Sequence, residues 1–200
     1  KGEDGYLSAS GFGLGECGET VETYQDFIDA LSDCRKRKVH ALVIDSFKPL
    51  AKRTMAHVLG TETRLPRIEP KTNEWGDVHF VMENLANEIR SSANLVLCLC
   101  PSDKSVEQLT GKTWITPDLP GREAAGSAGW FDFVLYLEAE LMGDRTIRRK
   151  LKVAPDNLIV TRQRLLHPIT KDLILPVGAG GWAMLREAIK AGLASEVTKG

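Results

Sequence analysis

No stretch of this chain approaches the run of about 20 apolar residues that a bilayer-spanning helix needs, and its opening, KGEDGYL, lacks the shape of a signal peptide. A membrane partner is not expected, and a cytoplasmic setting is. Paired CxxC spacing is missing as well. Cys17, Cys34, Cys98 and Cys100 stand apart or alternate along one apolar strand face, which favours buried free thiols over a metal site. The formal net charge is only −1, so a generally basic coat for nucleic acid is excluded and any such binding must rest on local patches. Internal repeats are absent, and so is an initiator Met. With 42% hydrophobic content, residues 1–200 read as one domain with a real core, N-terminally incomplete.

What is present has the rhythm of an α/β protein. Glu19 to Lys38 forms an amphipathic helical pattern with Val21, Tyr24, Phe27, Ile28 and Leu31 inward, and its closing RKRK compensates the helix dipole. VHALVIDSF (Val39–Phe47) follows: five of the six residues Val39–Ile44 are apolar, and the run ends on Asp45 and Ser46. A buried parallel strand that delivers a carboxylate to the C-terminal edge of its sheet has this form. Lys48–Leu59 continues as a helix and Gly60–Trp75 as a polar loop; a second helix capped by Asn73 or Asp77 runs to Ser91, and NLVLCLC (Asn94–Cys100) supplies the next buried strand. Helix, strand, helix, strand implies right-handed crossovers in a mainly parallel sheet.

Beyond Pro101 the pattern changes. Pro101–Gly129 reads as one long irregular connection, of the kind that is usually functional. Trp130–Glu140, Ile147–Ala154 and Leu158–Arg164 then read as strands joined by short turns, with DLILPV as a last strand and a closing helix over Trp182–Ala194. In the middle strand Ile147, Leu151 and Val153 alternate with Arg148, Lys150 and Lys152, one face apolar and one basic.

Several motifs bear on chemistry. TGKT (Thr110–Thr113) fails as a phosphate loop, because Val106 stands where the first glycine is required and no helix pattern follows. GLGECG (Gly13–Gly18) matches GxGxxG before a helix, which leaves open a dinucleotide-binding enzyme; a glycine loop that only caps the helix is the other reading. Two basic patches stand out. Lys48–Lys71 holds six Lys or Arg against two Glu, and Arg145–Arg164 holds seven against Asp156. Arg162 and Arg164 are two apart on a strand and share a face, as a pair that stabilises a transferred phosphoryl group would. Glu3 has the chemistry of a general base. Asp132 and Asp172 show no comparable context.

The order of these pieces resembles the core of RecA-like recombinase ATPases, most closely the short phage RecA-like (Sak-type) ATPases that work with single-strand annealing proteins. GEDGYLS is similar to the segment carrying that family's catalytic Glu, at Glu3 here. ETYQDFIDALSDCRKRKVHALVIDS resembles its helix and Walker B strand, with Asp45 and Ser46 on the Asp-Ser pair, and EWGDVHFVMENLANEIRSSANLVLCLC resembles the next helix and sensor strand. DLPGREAAGSAGWFDFVLYLE and LIVTRQR resemble the late hairpin with its cationic pair, Arg162 and Arg164. The resemblance implies a P-loop NTPase core, a mainly parallel sheet flanked by helices with a C-terminal antiparallel β hairpin. It implies ATP and Mg²⁺ as cofactors, with Asp45 and Ser46 on the nucleotide and Asp45 positioning the metal. It implies self-association in a ring or filament, with Arg162 and Arg164 acting on a neighbour's phosphate. Single-stranded DNA is the implied partner, met by Arg64, Arg67, Lys71, Lys104, Lys112 and Arg122 with Trp75 and Trp114 beside them. The phosphate loop of the family precedes the residues present here, and Cys100-Pro101 replaces its polar sensor. A non-catalytic nucleic-acid-binding or assembly protein with the same fold stays open as the rival.

Overall fold

A computed structural model describes residues 21–61, 70–106, 111, 113–121, 123–143, 145–153, 158–165, 167–176 and 180–194. Helix α1 (Tyr24–Lys36) starts at a capping box. Thr23 Oγ1 accepts the Asp26 N–H at 3.1 Å while Asp26 Oδ2 accepts the Thr23 N–H at 2.8 Å, so two otherwise orphaned donors are satisfied. Strand β1 (Ala41–Asp45) follows, then α2 (Phe47–Val58), α3 (Trp75–Ser92) and β2 (Leu95–Leu99). β1 and β2 pair in parallel, Asp45 opposite Leu99.

The core lies on one face of this strand pair. Val78, Met82, Leu85, Ala86 and Ile89 of α3 are at most 1% exposed and meet Phe27 and Leu31 of α1, Phe47, Leu50 and Ala51 of α2, and Ile44 of β1. Their helical spacing makes one continuous stripe, and each large side chain so buried contributes roughly 1.5–3 kcal/mol. Ala41, Val43, Asp45, Leu95, Leu97 and Leu99 point the other way and are exposed.

The remaining strands correct the expectation of a mainly parallel sheet. Among the described residues β1–β2 is the one parallel strand pair, and the other three sheets are small and antiparallel. The physical reason is local. Only β1 and β2 are continuous apolar runs separated by a crossover helix, whereas the later strands alternate in polarity or follow turns too short for a parallel return.

The irregular connection expected over Pro101–Gly129 is instead a β hairpin, β3 (Ser102–Val106) with β4 (Thr113–Pro117), followed by the short helix α4 (Glu123–Gly126) and a 3-10 turn, Ser127–Gly129. The hairpin satisfies its own backbone, and β4 is further tied by Ile115 N–H to Leu158 O and Val160 N–H to Ile115 O. The strand expected from Trp130 is divided. β5 (Phe133–Val134) pairs with β8 (Arg162–Gln163), while β6 (Tyr136–Leu141) joins β7 (Ile147–Lys152) and then β9 (Leu173–Leu175). Of the late hairpin expected from WFDFVLYLE and LIVTRQR, only the short β5–β8 pair is formed among the described residues, and β6 pairs with β7 instead. The terminal helix α5 spans Gly181–Ala194.

Candidate functional site

The C-terminal edge of β1 and β2 gathers the groups of interest. Asp45 is exposed there and has no ion-pair or hydrogen-bond partner among the described residues. Ser46 is the N-cap of α2, with extended backbone, but its hydroxyl makes no capping bond, and the first turn of α2 holds no acidic residue. The positive end of that helix is left uncompensated locally, which favours an anion near Ser46.

Lys48, in the same first turn, reaches across to the Asp118 carboxylate, to which its ammonium is bonded. Asp118 follows β4 directly, and its N–H donates to Pro101 O at 2.8 Å, so it closes the foot of the β3–β4 hairpin. Cys100 lies beside this pair. Burial pushes its thiol above the ordinary value, opposed by a backbone N–H from Asp118. Cys98, deeper in β2, is pushed up to about 12 by burial, with Cys100 adding to the rise. Both behave as protonated core thiols.

A second side-chain contact holds the same segment. Glu123 is fully buried, and His79 Nδ1 lies 3.0 and 3.1 Å from its two carboxylate oxygens. The indole of Trp130 stands between His79 and Phe47, with ring centroids 6.3 and 6.5 Å away. α3 runs back along β2, so His79, in its second turn, is near the level of Asp45. Neither Lys48–Asp118 nor His79–Glu123 was visible in the sequence, since 70 and 44 residues separate the partners. The one local hint is an acid set among small residues, REAAGSAG.

Arg162 and Arg164 do share a face. Gln163 between them points oppositely and bonds Val153 O, Ile169 O and the Ile169 N–H at 2.7–2.8 Å. The two arginines differ in their surroundings. Arg164 donates to Gly129 O at 2.7 Å and to Asp132 Oδ1 at 3.3 Å, and Asp132 also meets Arg90 in the last turn of α3. Arg162 Nη1 approaches Gly129 as well, but no carboxylate pairs with it among the described residues. Asp132 and Asp172, which carried no context in the sequence, are ion-pair centres: Asp172 holds Lys150 and Lys152 at 3.3 and 3.4 Å. With Arg148 on Glu140, the basic face of β7 is largely neutralised from within.

Of the residues expected to meet DNA, Lys71 and Lys104 are exposed, while Arg64, Arg67, Lys112 and Arg122 lie outside the described residues, as do Glu3 and the Gly13–Gly18 motif. Trp75 is packed against the core, its ring lying over Gly121, so it is not offered to a base. Trp114 is 40% exposed, yet it pairs with Ser105 and so lies on the hairpin face opposite Lys104, which pairs with Ile115.

Residues 4–165 match the model of a protein family described as AAA domain. The chain belongs to that family. No curated protein and no solved structure matches it. Family membership makes the chain ATPase-like and nucleotide-binding in kind. Within this AAA domain the matched span takes in Asp45, Lys48, His79, Glu123, Arg162 and Arg164, and leaves out β9 and α5. The exposed edge fits Mg-ATP. Mg²⁺ is commonly held by one or two carboxylates, water and the substrate's own phosphates, and Asp45 is a carboxylate with free coordination capacity beside an uncapped helix N-terminus.

Proposed function

We propose that the chain is the core of an ATP-hydrolysing, RecA-like machine that acts on single-stranded DNA together with a single-strand annealing partner. The observation that carries this reading is the unpaired Asp45 at the C-terminal edge of the parallel strand pair, in a chain of the AAA-domain family. Asp45 would hold Mg²⁺, Ser46 and the start of α2 would face phosphate, and the metal would neutralise charge on the phosphates during transfer. Glu3 would orient the attacking water, and Arg162 with Arg164 would serve a neighbouring subunit. The exposed side chains of Lys71 and Lys104 are available to a polyanion.

The test is ATP turnover by the full-length protein with and without single-stranded DNA. Turnover that DNA stimulates, and that Asp45→Asn lowers by about 10²-fold or more, supports the reading. DNA binding without turnover supports the non-catalytic assembly protein, and hydrolysis unchanged by Asp45→Asn removes Asp45 from the site.

A further inference from the structure

We infer that Lys48 is a phosphate-binding residue held in reserve by Asp118, and that its exchange between the two couples the nucleotide edge to the β3–β4 hairpin. The inference rests on the nucleotide reading of that edge. Lys48 lies three residues beyond Asp45, in the turn whose backbone donors face the same side, and its one carboxylate partner belongs to the hairpin's foot. A nucleotide's phosphates offer that ammonium several negative charges and acceptors in place of one carboxylate. Once Lys48 turns to them, Asp118 loses its tie to α2.

Burial decides which contact can exchange. The side chains of Lys48 and Asp118 are each 32% exposed, so solvent or a ligand can reach both partners. Glu123, five residues on, is fully buried with His79 as its partner, and a buried polar group left without a hydrogen-bond partner is unfavourable. The segment 118–123 therefore has one releasable clasp, Asp118, against fixed points at Leu119 in the core and at Glu123, while β4 stays tied to Leu158 and Val160 through Ile115. Release at Asp118 lets the outer part of the hairpin re-aim about these fixed points while β2 and α3 stay in place. Linkage makes the effect reciprocal: a polyanion that favours the re-aimed hairpin tightens nucleotide binding by the same factor.

The test measures the affinity of a fluorescent oligo-dT strand with and without Mg²⁺ and a non-hydrolysable ATP analogue, in the full-length protein and in Asp118→Asn and Lys48→Gln. The analogue should change DNA affinity by a factor within about 5–150 in the wild type. Asp118→Asn should bind the analogue more tightly, Lys48→Gln more weakly, and both should bring the coupling factor close to one. Coupling that survives in both variants, or analogue affinity indifferent to Lys48→Gln, overturns the inference. A wild type that binds the analogue with no change in DNA affinity sinks this coupling alone. A wild type that binds no analogue sinks the nucleotide reading and the coupling with it.

Discussion

Arg162 and Arg164 look equivalent in sequence, yet their surroundings give them different work. Arg164 ties Gly129 to Asp132, and Asp132 to the end of α3 through Arg90, whereas Arg162 has no carboxylate to hold. Arg164→Ala should therefore cost stability, about 1 kcal/mol after allowance for solvent screening at a side chain 39% exposed, or roughly 2–4 °C in Tm. Arg162→Ala should leave Tm unchanged. Equal losses in a thermal melt would refute this division of roles. Cys98 gives a second expectation at this scale. Its thiol is raised in the fold from 9.0 to about 12, so its contribution to stability is complete below pH 9 and declines as pH climbs toward 12, where the unfolded thiol ionises and the folded one does not. At pH 8 a thiol reagent should label Cys98 only on unfolding. Rapid labelling of the native protein would contradict the burial.

At the scale of elements, the turn into α4 depends on Gly121. Its φ is +56°, which L side chains adopt at a cost, and a Cβ there would stand 2.6 Å from the Trp75 ring. Gly121→Ala should lose roughly 2–4 kcal/mol in urea unfolding, from the backbone conformation and the clash together. Adding Trp75→Leu should return only the clash part; full recovery would show that the backbone is unstrained. Helix α1 has a milder dependence on its cap. Asp26 is held below the usual carboxylate range by its hydrogen bonds with Thr23, so the support it gives is present above pH 4 and fades as acid protonates it. Thr23→Ala should cost about 1 kcal/mol at pH 7 and less below pH 4. A penalty independent of pH would mean that the Thr23 side chain gives the Asp26 carboxylate no support. The hairpin over 102–117 escaped the sequence reading because its strands are short, polar and closed around a tip without a standard two-residue turn signal. Its stability comes instead from the tie of Ile115 to the segment at Leu158–Val160.

At the scale of the whole molecule, the arginine pair is proposed to act on a phosphate held by another subunit. Within one chain Arg164 bonds Gly129 O, and the next residue, Trp130, packs against Phe47, two residues beyond Asp45. Action of the arginine pair on a neighbour's phosphate, as proposed, requires a head-to-tail contact and so a ring or helical filament. Arg162→Ala should leave nucleotide binding nearly intact and lower turnover by about 10³–10⁵-fold. Mixing it with Asp45→Ala subunits should restore part of the activity. No recovery in mixtures shown to co-assemble argues against action in trans, and a protein that stays monomeric with ATP and DNA argues against assembly altogether. Among the described residues no helix is long and apolar enough to cross a membrane, in line with the lack of long apolar runs.

Sequence by itself determined the α1–β1 and α3–β2 units, because burial on a helix stripe or a parallel strand writes itself into local periodicity. It therefore also placed Asp45 at a strand's C-terminal end and Arg162 and Arg164 on one face. What it missed depends on contacts between distant residues. That the later strands form small antiparallel sheets, that Lys48 answers Asp118, that His79 answers Glu123 and that Asp132 captures Arg164 were decided by which segments pack side by side. A charge gives no sign in a linear chain of the partner that will neutralise it. Only tertiary structure shows which cations are already engaged, and that Asp45 stands at the strand edge without a partner among the described residues.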